Sequence, residues 1–125
     1  MITPVQTPNA PAAIGPYSQA MICNGMVFTS GQIALTPAGD MVEGDVSAQC
    51  IQVVANLKAV LEASGSSLSN VIKTTIFLAD MEDFAAVNAI YGAAFGDHKP
   101  ARSTVAVKTL PKNALVEIDA IAVIG

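Results

Sequence analysis

PARSTVAVKTLPKNALVEIDAIAVIG, residues 100–125, decides the fold. It reads as two strands joined by a turn. Residues 116, 118, 120, 122 and 124 are Val, Ile, Ala, Ala and Ile. That wholly apolar even-numbered set is the period-2 signature of a strand packed on a core. The odd-numbered set begins Leu115, Glu117, Asp119 and returns to Ile121 and Val123. Two carboxylates therefore share one strand face, roughly 6.5–7 Å apart. Over 102–107, polar or small residues alternate with apolar ones. Val105 and Val107 are expected to face the core, and Arg102, Thr104 and Ala106 the other side. With the two strands as neighbours, Arg102, Glu117 and Asp119 fall on one non-core surface, either as rim charges or as a site.

The 125 residues make one domain, 1–125, long enough for a real core. Only 13% of residues are charged and 52% are hydrophobic, with a mean hydropathy of +0.51. A monomer of this size cannot easily hide so much apolar surface, which implies a buried subunit interface. No apolar run approaches the ~18 residues of a membrane span. The opening MITPVQTPNAP has neither the basic nor the apolar segment of a signal peptide. Net charge is −4 with no Lys/Arg cluster, which argues against nucleic acid as a main partner. Cys23 and Cys50 lie far apart, and His98 is the one histidine, so no His/Cys metal set is expected within one subunit. Two free thiols without an export signal point to the cytoplasm.

Residues 1–16 are rich in proline and read as an extended lead-in, with an edge strand near Val5. Asn24-Gly25 between the apolar runs 17–23 and 26–30 is a strong hairpin signal. Thr36 to Asp40 is a turn. A helix is expected over 45–64, capped by Asp45 or Ser47. Its stripe is Val46, Cys50, Val53, Val54, Leu57, Val60 and Leu61, opposite Gln49, Gln52, Asn56 and Lys58. Residues 71–78 form a strand rich in Val, Ile, Thr and Phe. Asp80 caps a second helix with the stripe Phe84, Val87, Tyr91, Phe95, ended by Gly96. The predicted order is β-β-α-β-α-β-β, an α+β fold with one mixed sheet and two helices on one face. A second subunit is the natural cover for the other face.

Each candidate residue has a chemical and a structural reading. Arg102 is a bidentate anchor for a carboxylate, or one half of an ion pair. Glu117, buried in an apolar surround, has a raised pKa suited to proton transfer, or else it faces solvent or a salt bridge. Asp119 carries the same pair of readings. Asn88 lies four residues after Phe84 on the apolar side of its helix, so its amide must find partners in a ligand or in nearby backbone. Gly31 permits a close backbone approach to a ligand, or only a bulge. Tyr17 and Ser30 are ordinary hairpin residues by themselves, and Cys50 reads as packing. No phosphate-binding glycine loop is present.

The segments AAIGPYSQA (12–20), FTSGQI (28–33), NVIKTTIFLADMEDFAAVNAIY (70–91) and PARSTVAVKTLPKNALVEIDAIAV (100–123) resemble the Rid family, also called YjgF/YER/UK, of reactive intermediate deaminases. The likeness spans nearly the whole chain. Arg102 places it nearest the deaminase-competent branch.

This resemblance implies a chorismate-mutase-like unit. Three copies would pack their sheets into a central barrel, with clefts between subunits. It implies hydrolysis of 2-imino acids, such as 2-iminobutanoate and 2-iminopropanoate, to 2-oxo acids and ammonia, with no cofactor and no metal. Arg102 would bind the substrate carboxylate and Glu117 would place the attacking water. Tyr17, Ser30, Gly31, Asn88 and Thr104 map to pocket positions. Thr104 stands where some members carry a cysteine, and the loop before Pro100 is shorter than in some. The alternatives are a non-catalytic protein that binds small carboxylic acids in the same clefts, and the ribonuclease activity reported for some relatives.

Overall fold

The computed structural model describes residues 1–125. One mixed sheet contains β1 (Ile2–Val5), β2 (Ala20–Cys23), β3 (Met26–Thr29), β4 (Val71–Leu78), β5 (Ala101–Ala106) and β6 (Val116–Val123). Their spatial order is β1-β2-β3-β6-β4-β5. Two helices, α1 (Val46–Ala63) and α2 (Phe84–Phe95), pack on one face of it. The α+β class and the mixed sheet are as the sequence predicts. The edge strand expected near Val5 is present over residues 2–5, paired with β2, and adds one strand to the predicted order. Pro4 is tolerated there, since an edge strand has a free side.

The β2–β3 hairpin turns at Asn24 and Gly25, with φ of 53° and 73°. Two positive values in succession match the right-handed twist of the paired strands. The first of these strands starts at Ala20, not at Tyr17. The Tyr17 amide instead donates to the Gly15 carbonyl at 2.8 Å and bends the chain.

β6 lies in the middle of the sheet, antiparallel to both β3 and β4. Val116, Ile118, Ala120 and Ala122 are all buried beneath the helices, as the alternation requires. Ile124 lies past the strand end and is exposed.

The expected pairing of β5 with β6 is wrong. β4 lies between them, parallel to β5 and antiparallel to β6. A parallel pair needs a long crossover, and α2 supplies it. The returning strand β6 then takes the other edge of β4.

The register also reverses the expected orientation of β5. Arg102 pairs with Thr74, which is fully buried on the helix side and pairs in turn with Ala120. Val105 pairs with Phe77 on the opposite face and is 42% exposed. Arg102, Thr104 and Ala106 do share a face, but it is the face toward the helices. At an edge strand the helical cover is incomplete, so the long Arg102 side chain reaches out over α2, where its guanidinium meets Phe84, Asn88 and Tyr91.

In α1, Asp45 is the cap, accepting from the Ala48 amide at 3.0 Å. The expected apolar stripe is buried, with Val54 only partly so. Two residues assigned to the polar side, Gln49 and Asn56, are buried as well. Asn56 donates from Nδ2 to the carbonyls of Ile33 and Leu35, at 3.1 and 2.8 Å. Gln49 Oε1 accepts from the Leu115 amide at 2.8 Å. Both amides reach past the apolar stripe and hold irregular backbone that has no strand partner.

Before α2, Asp80 caps a single 3-10 turn, Met81–Asp83. Val87, Tyr91 and Phe95 are buried, whereas Phe84 is 38% exposed and Asn88 is exposed rather than held in the core.

The face of the sheet without helices carries Phe28, Val105 and Val123, all exposed, with Ile121, Phe77 and Met26 half-buried. No helix is long and apolar enough to cross a membrane.

Asn56→Ala leaves the Leu35 carbonyl without a donor and the Ile33 carbonyl with only the Leu35 amide. It is expected to lower stability by about 1–3 kcal/mol. Urea unfolding followed by circular dichroism reads this directly, and an unchanged midpoint would remove Asn56 from the framework.

Candidate functional site

Glu117 points from the start of β6 to the helix-free face, into a cavity of about 380 Å³. Ile14, Tyr17, Ser30, Gly31, Ile33 and Pro111 contribute to its wall. The wall is built by backbone constraints. The Ser30 amide donates to the Gln19 carbonyl at 2.9 Å, and Ser30 Oγ donates to the Ser18 carbonyl at 2.6 Å. Gln32 and Ile118 exchange backbone hydrogen bonds across an isolated bridge. Gly31, between these two anchors, is thus pressed against the acid. A Cβ built on Gly31 would clash with Glu117 Oε2 and lie 2.8 Å from Cδ. Glycine is required here by space rather than by backbone angle.

Tyr17 is half-exposed at the cavity mouth, where its hydroxyl accepts from the Ile14 amide at 3.3 Å. Gln19 is buried and fastens the lead-in above it. Its Oε1 accepts from the Thr7 amide at 2.6 Å, and its Nε2 donates to the Pro11 carbonyl at 2.8 Å.

Burial pushes the Glu117 carboxyl above its ordinary range, and the charge of Asp119 pushes it further. Asp119 is raised by burial too, an effect that Lys73 and hydrogen bonds from Thr75 partly offset. Both acids share the helix-free face, as the alternation requires, but only Glu117 lines the cavity.

Arg102 lies elsewhere. It borders a second depression with Asn88, Tyr91, Phe95, His98 and Lys99. Its Nη1 donates to Asn88 Oδ1 at 2.8 Å, and it forms no ion pair within the chain. Thr104 follows two residues later on the same face, and its hydroxyl is buried without a partner. His98 is committed to structure, its Nε2 lying 2.6 Å from the Val71 carbonyl.

The sequence-predicted residues therefore divide into two groups. Tyr17, Ser30, Gly31 and Glu117 gather in one cavity, whereas Arg102, Asn88 and Thr104 gather at the β5 edge. The single non-core surface expected for Arg102 and the two acids does not exist within one chain. Arg102 and Glu117 point to opposite faces of the sheet and stand two strands apart, about 10 Å laterally.

Four contributors escaped the sequence reading. These are the Gly31–Glu117 contact, the Gln19 clamp, the Asn56 brace and the aromatic rings beside Arg102. Only the last left a signal, in the spacing of Phe84, Asn88 and Tyr91. No group of three or more His, Cys, Asp or Glu is placed to hold a metal ion. The Cys50 thiol is pushed up to about 11 by burial, so it stays protonated and unreactive.

A raised carboxyl pKa means that ionisation opposes folding, and the penalty is present above the folded-state value. Glu117→Gln removes it. The variant is expected to melt higher than the parent at neutral pH, with the difference vanishing as pH falls below the ordinary value of 4.5. Thermal melts from about pH 4 to about pH 8 check the sign.

Gly31→Ala must displace the Glu117 carboxylate. It is expected to abolish ligand binding in the cavity while far-ultraviolet circular dichroism stays unchanged.

The profile of the family described as Endoribonuclease L-PSP matches residues 7–124. The chain is 51% identical over 122 residues to a 2-iminobutanoate/2-iminopropanoate deaminase from Salmonella typhimurium, covering 95% of each chain. A Rid-family protein of unknown function from Yersinia pestis superposes with a TM-score of 0.97 at 47% identity, covering 99% of this chain and all of the other. TdcF from Escherichia coli, solved with bound serine, superposes with a TM-score of 0.93 at 42% identity, covering 98% of this chain and 99% of the other. With matches of this extent along sequence and backbone alike, the chain belongs to the endoribonuclease L-PSP family, the Rid (YjgF) family that its segments resemble.

Proposed function

We propose that the protein hydrolyses 2-imino acids such as 2-iminobutanoate and 2-iminopropanoate to 2-oxo acids and ammonia. The observation that carries this is the Glu117 carboxylate, held against Gly31 in a cavity and raised in pKa by burial. A protonated imine is already electrophilic at C2. The protein has only to fix the carboxylate, place one water and move protons. Water adds to C2 while Glu117 takes its proton. In the resulting carbinolamine, Glu117 returns the proton to the amine, the carbon–nitrogen bond breaks as the carbonyl forms, and the hydroxyl proton passes through Glu117 or water to the released ammonia, which leaves as ammonium. A base with a raised pKa suits both transfers near neutral pH.

The reading requires Arg102 to meet Glu117, and a second copy of the chain provides the means. A homotrimer with its helix-free faces turned inward would cover Phe28, Val105 and Val123. It would also bring one subunit's β5 edge to the next subunit's Glu117 cavity. Arg102 then grips the substrate carboxylate with its planar fork, Asn88 and the unpartnered Thr104 hydroxyl line the anchor side, and Tyr17 and Ser30 line the reacting side. In this scheme the whole protein is one catalytic domain acting in the cytoplasm on small metabolites.

Binding without turnover is the second reading. It is favoured by TdcF, solved with bound serine, a stable small carboxylic acid. RNA cleavage, suggested by the family's description, is disfavoured by the net charge of −4 and by only six Lys/Arg.

The test generates imine with a threonine dehydratase and follows its lifetime against semicarbazide. Glu117→Gln is expected to slow hydrolysis ~10²–10⁴-fold while binding 2-oxobutanoate nearly as the parent does. Asp119→Asn is expected to be much milder. If Asp119→Asn is the slower enzyme, the acid is misassigned. If neither is slow while 2-oxobutanoate still binds, the binding reading stands. Mixing Glu117→Gln with Arg102→Lys chains, after dissociation and reassembly, is expected to restore about a quarter of the sites, because each shared site draws its two residues from different subunits. No recovery would place the whole site in one chain.

A further inference from the structure

We propose that the rings of Phe84 and Tyr91 form an aromatic seat that positions the Arg102 guanidinium to receive a carboxylate. The proposal rests on the anchoring role given to Arg102 above. The guanidinium carbon lies 5.0 Å from the centroid of the Tyr91 ring and 5.5 Å from that of Phe84. Phe84, Asn88 and Tyr91 stand at i, i+4 and i+7, so one face of α2 presents two rings and an amide to the same arginine. The parallel register that pairs Arg102 with Thr74 delivers the arginine to this face. Thr74 also fixes the seat from below, because its hydroxyl and that of Tyr91 are 2.7 Å apart and both residues are buried. The Tyr91 ring therefore cannot turn away without breaking a buried hydrogen bond.

All of these supports are neutral, and that is what a carboxylate receiver needs. An acidic support would occupy the guanidinium fork and compete with the ligand. Ring faces stabilise the charge electrostatically without using N–H donors. Asn88 takes one donor and leaves the others free. A free arginine side chain samples many rotamers, and ordering it on binding weakens affinity. A seat that holds the head in advance removes that penalty. Phe84 and Tyr91 thereby act through Arg102 as positioning residues, and their effect belongs in binding rather than in the chemical step.

The experiment compares Phe84→Leu, Tyr91→Leu, Tyr91→Phe, Arg102→Lys and Arg102→Met in the assembled protein. It reads KM and kcat for imine hydrolysis and the calorimetric Kd of 2-oxobutanoate. Phe84→Leu and Tyr91→Leu are each expected to raise KM and Kd about 3- to 10-fold, the size of one cation–π contact, with kcat within about twofold. Tyr91→Phe keeps the ring but loses the hydrogen bond to Thr74, so it is expected to fall between the parent and Tyr91→Leu. Phe84 is 38% exposed, so its variant folds even where Tyr91→Leu does not. In the double variant Phe84→Leu/Arg102→Met, which leaves no cation for the ring to hold, the Phe84 change is expected to add nothing beyond Arg102→Met alone. Normal binding by Phe84→Leu and Tyr91→Leu, beside weak binding by Arg102→Lys, overturns the seat and leaves the anchor intact. Normal binding by Arg102→Lys overturns the anchor, and the seat with it. A fall in kcat at unchanged KM, or full additivity in the double variant, overturns the positioning role.

Discussion

A strand in the middle of a sheet is hydrogen-bonded along both edges, so it cannot slide or roll without breaking two ladders. β6 is held in this way by β3 and β4. Its alternation is therefore absolute: Val116, Ile118, Ala120 and Ala122 seal the helix side, and Glu117 and Asp119 are committed to the other. A slip of one residue would bury both acids under α1 and expose the core set. A strand paired along both edges is thus also the one that presents its acids on the open face.

That commitment sets the chemistry of Glu117. A carboxylate at the end of a flexible loop would find water and keep an ordinary pKa. Here the backbone of Gly31 presses on it, the neighbouring acid repels its charge, and burial penalises ionisation. Arg102 lives under the opposite regime. It stands on an edge strand, its charge is met by two rings and one amide, and no acid of its own chain claims it. One centre is rigid and reluctant to ionise, and the other is permanently charged and unsatisfied. The two are chemically complementary but geometrically separated within the chain, which is the strongest internal argument for a shared site.

Much of the apparatus around these two centres consists of buried amides. Gln19 fastens the lead-in, Asn56 braces the backbone after Gly31, and Gln49 holds the segment entering β6. Each satisfies backbone groups that no strand or helix reaches. Irregular backbone can line a cavity only when its polar groups are satisfied, and side-chain amides serve because each both donates and accepts.

The sequence by itself determined whatever depends on local periodicity. The two helices, the Asn24-Gly25 hairpin, the apolar set of β6 and the shared face of Glu117 and Asp119 were all legible, because side-chain direction along one element follows from its own repeat. The tertiary structure decided which elements become neighbours. Nothing in residues 100–125 reveals that β4 enters between β5 and β6, so the faces of β5 came out reversed and Arg102 was placed beside the acids instead of across the sheet from them. Likewise, Gln49 and Asn56 read as a polar helix face until distant loops arrived to be held. Periodicity states which residues share a side. Only long-range register states which side is covered, and by what.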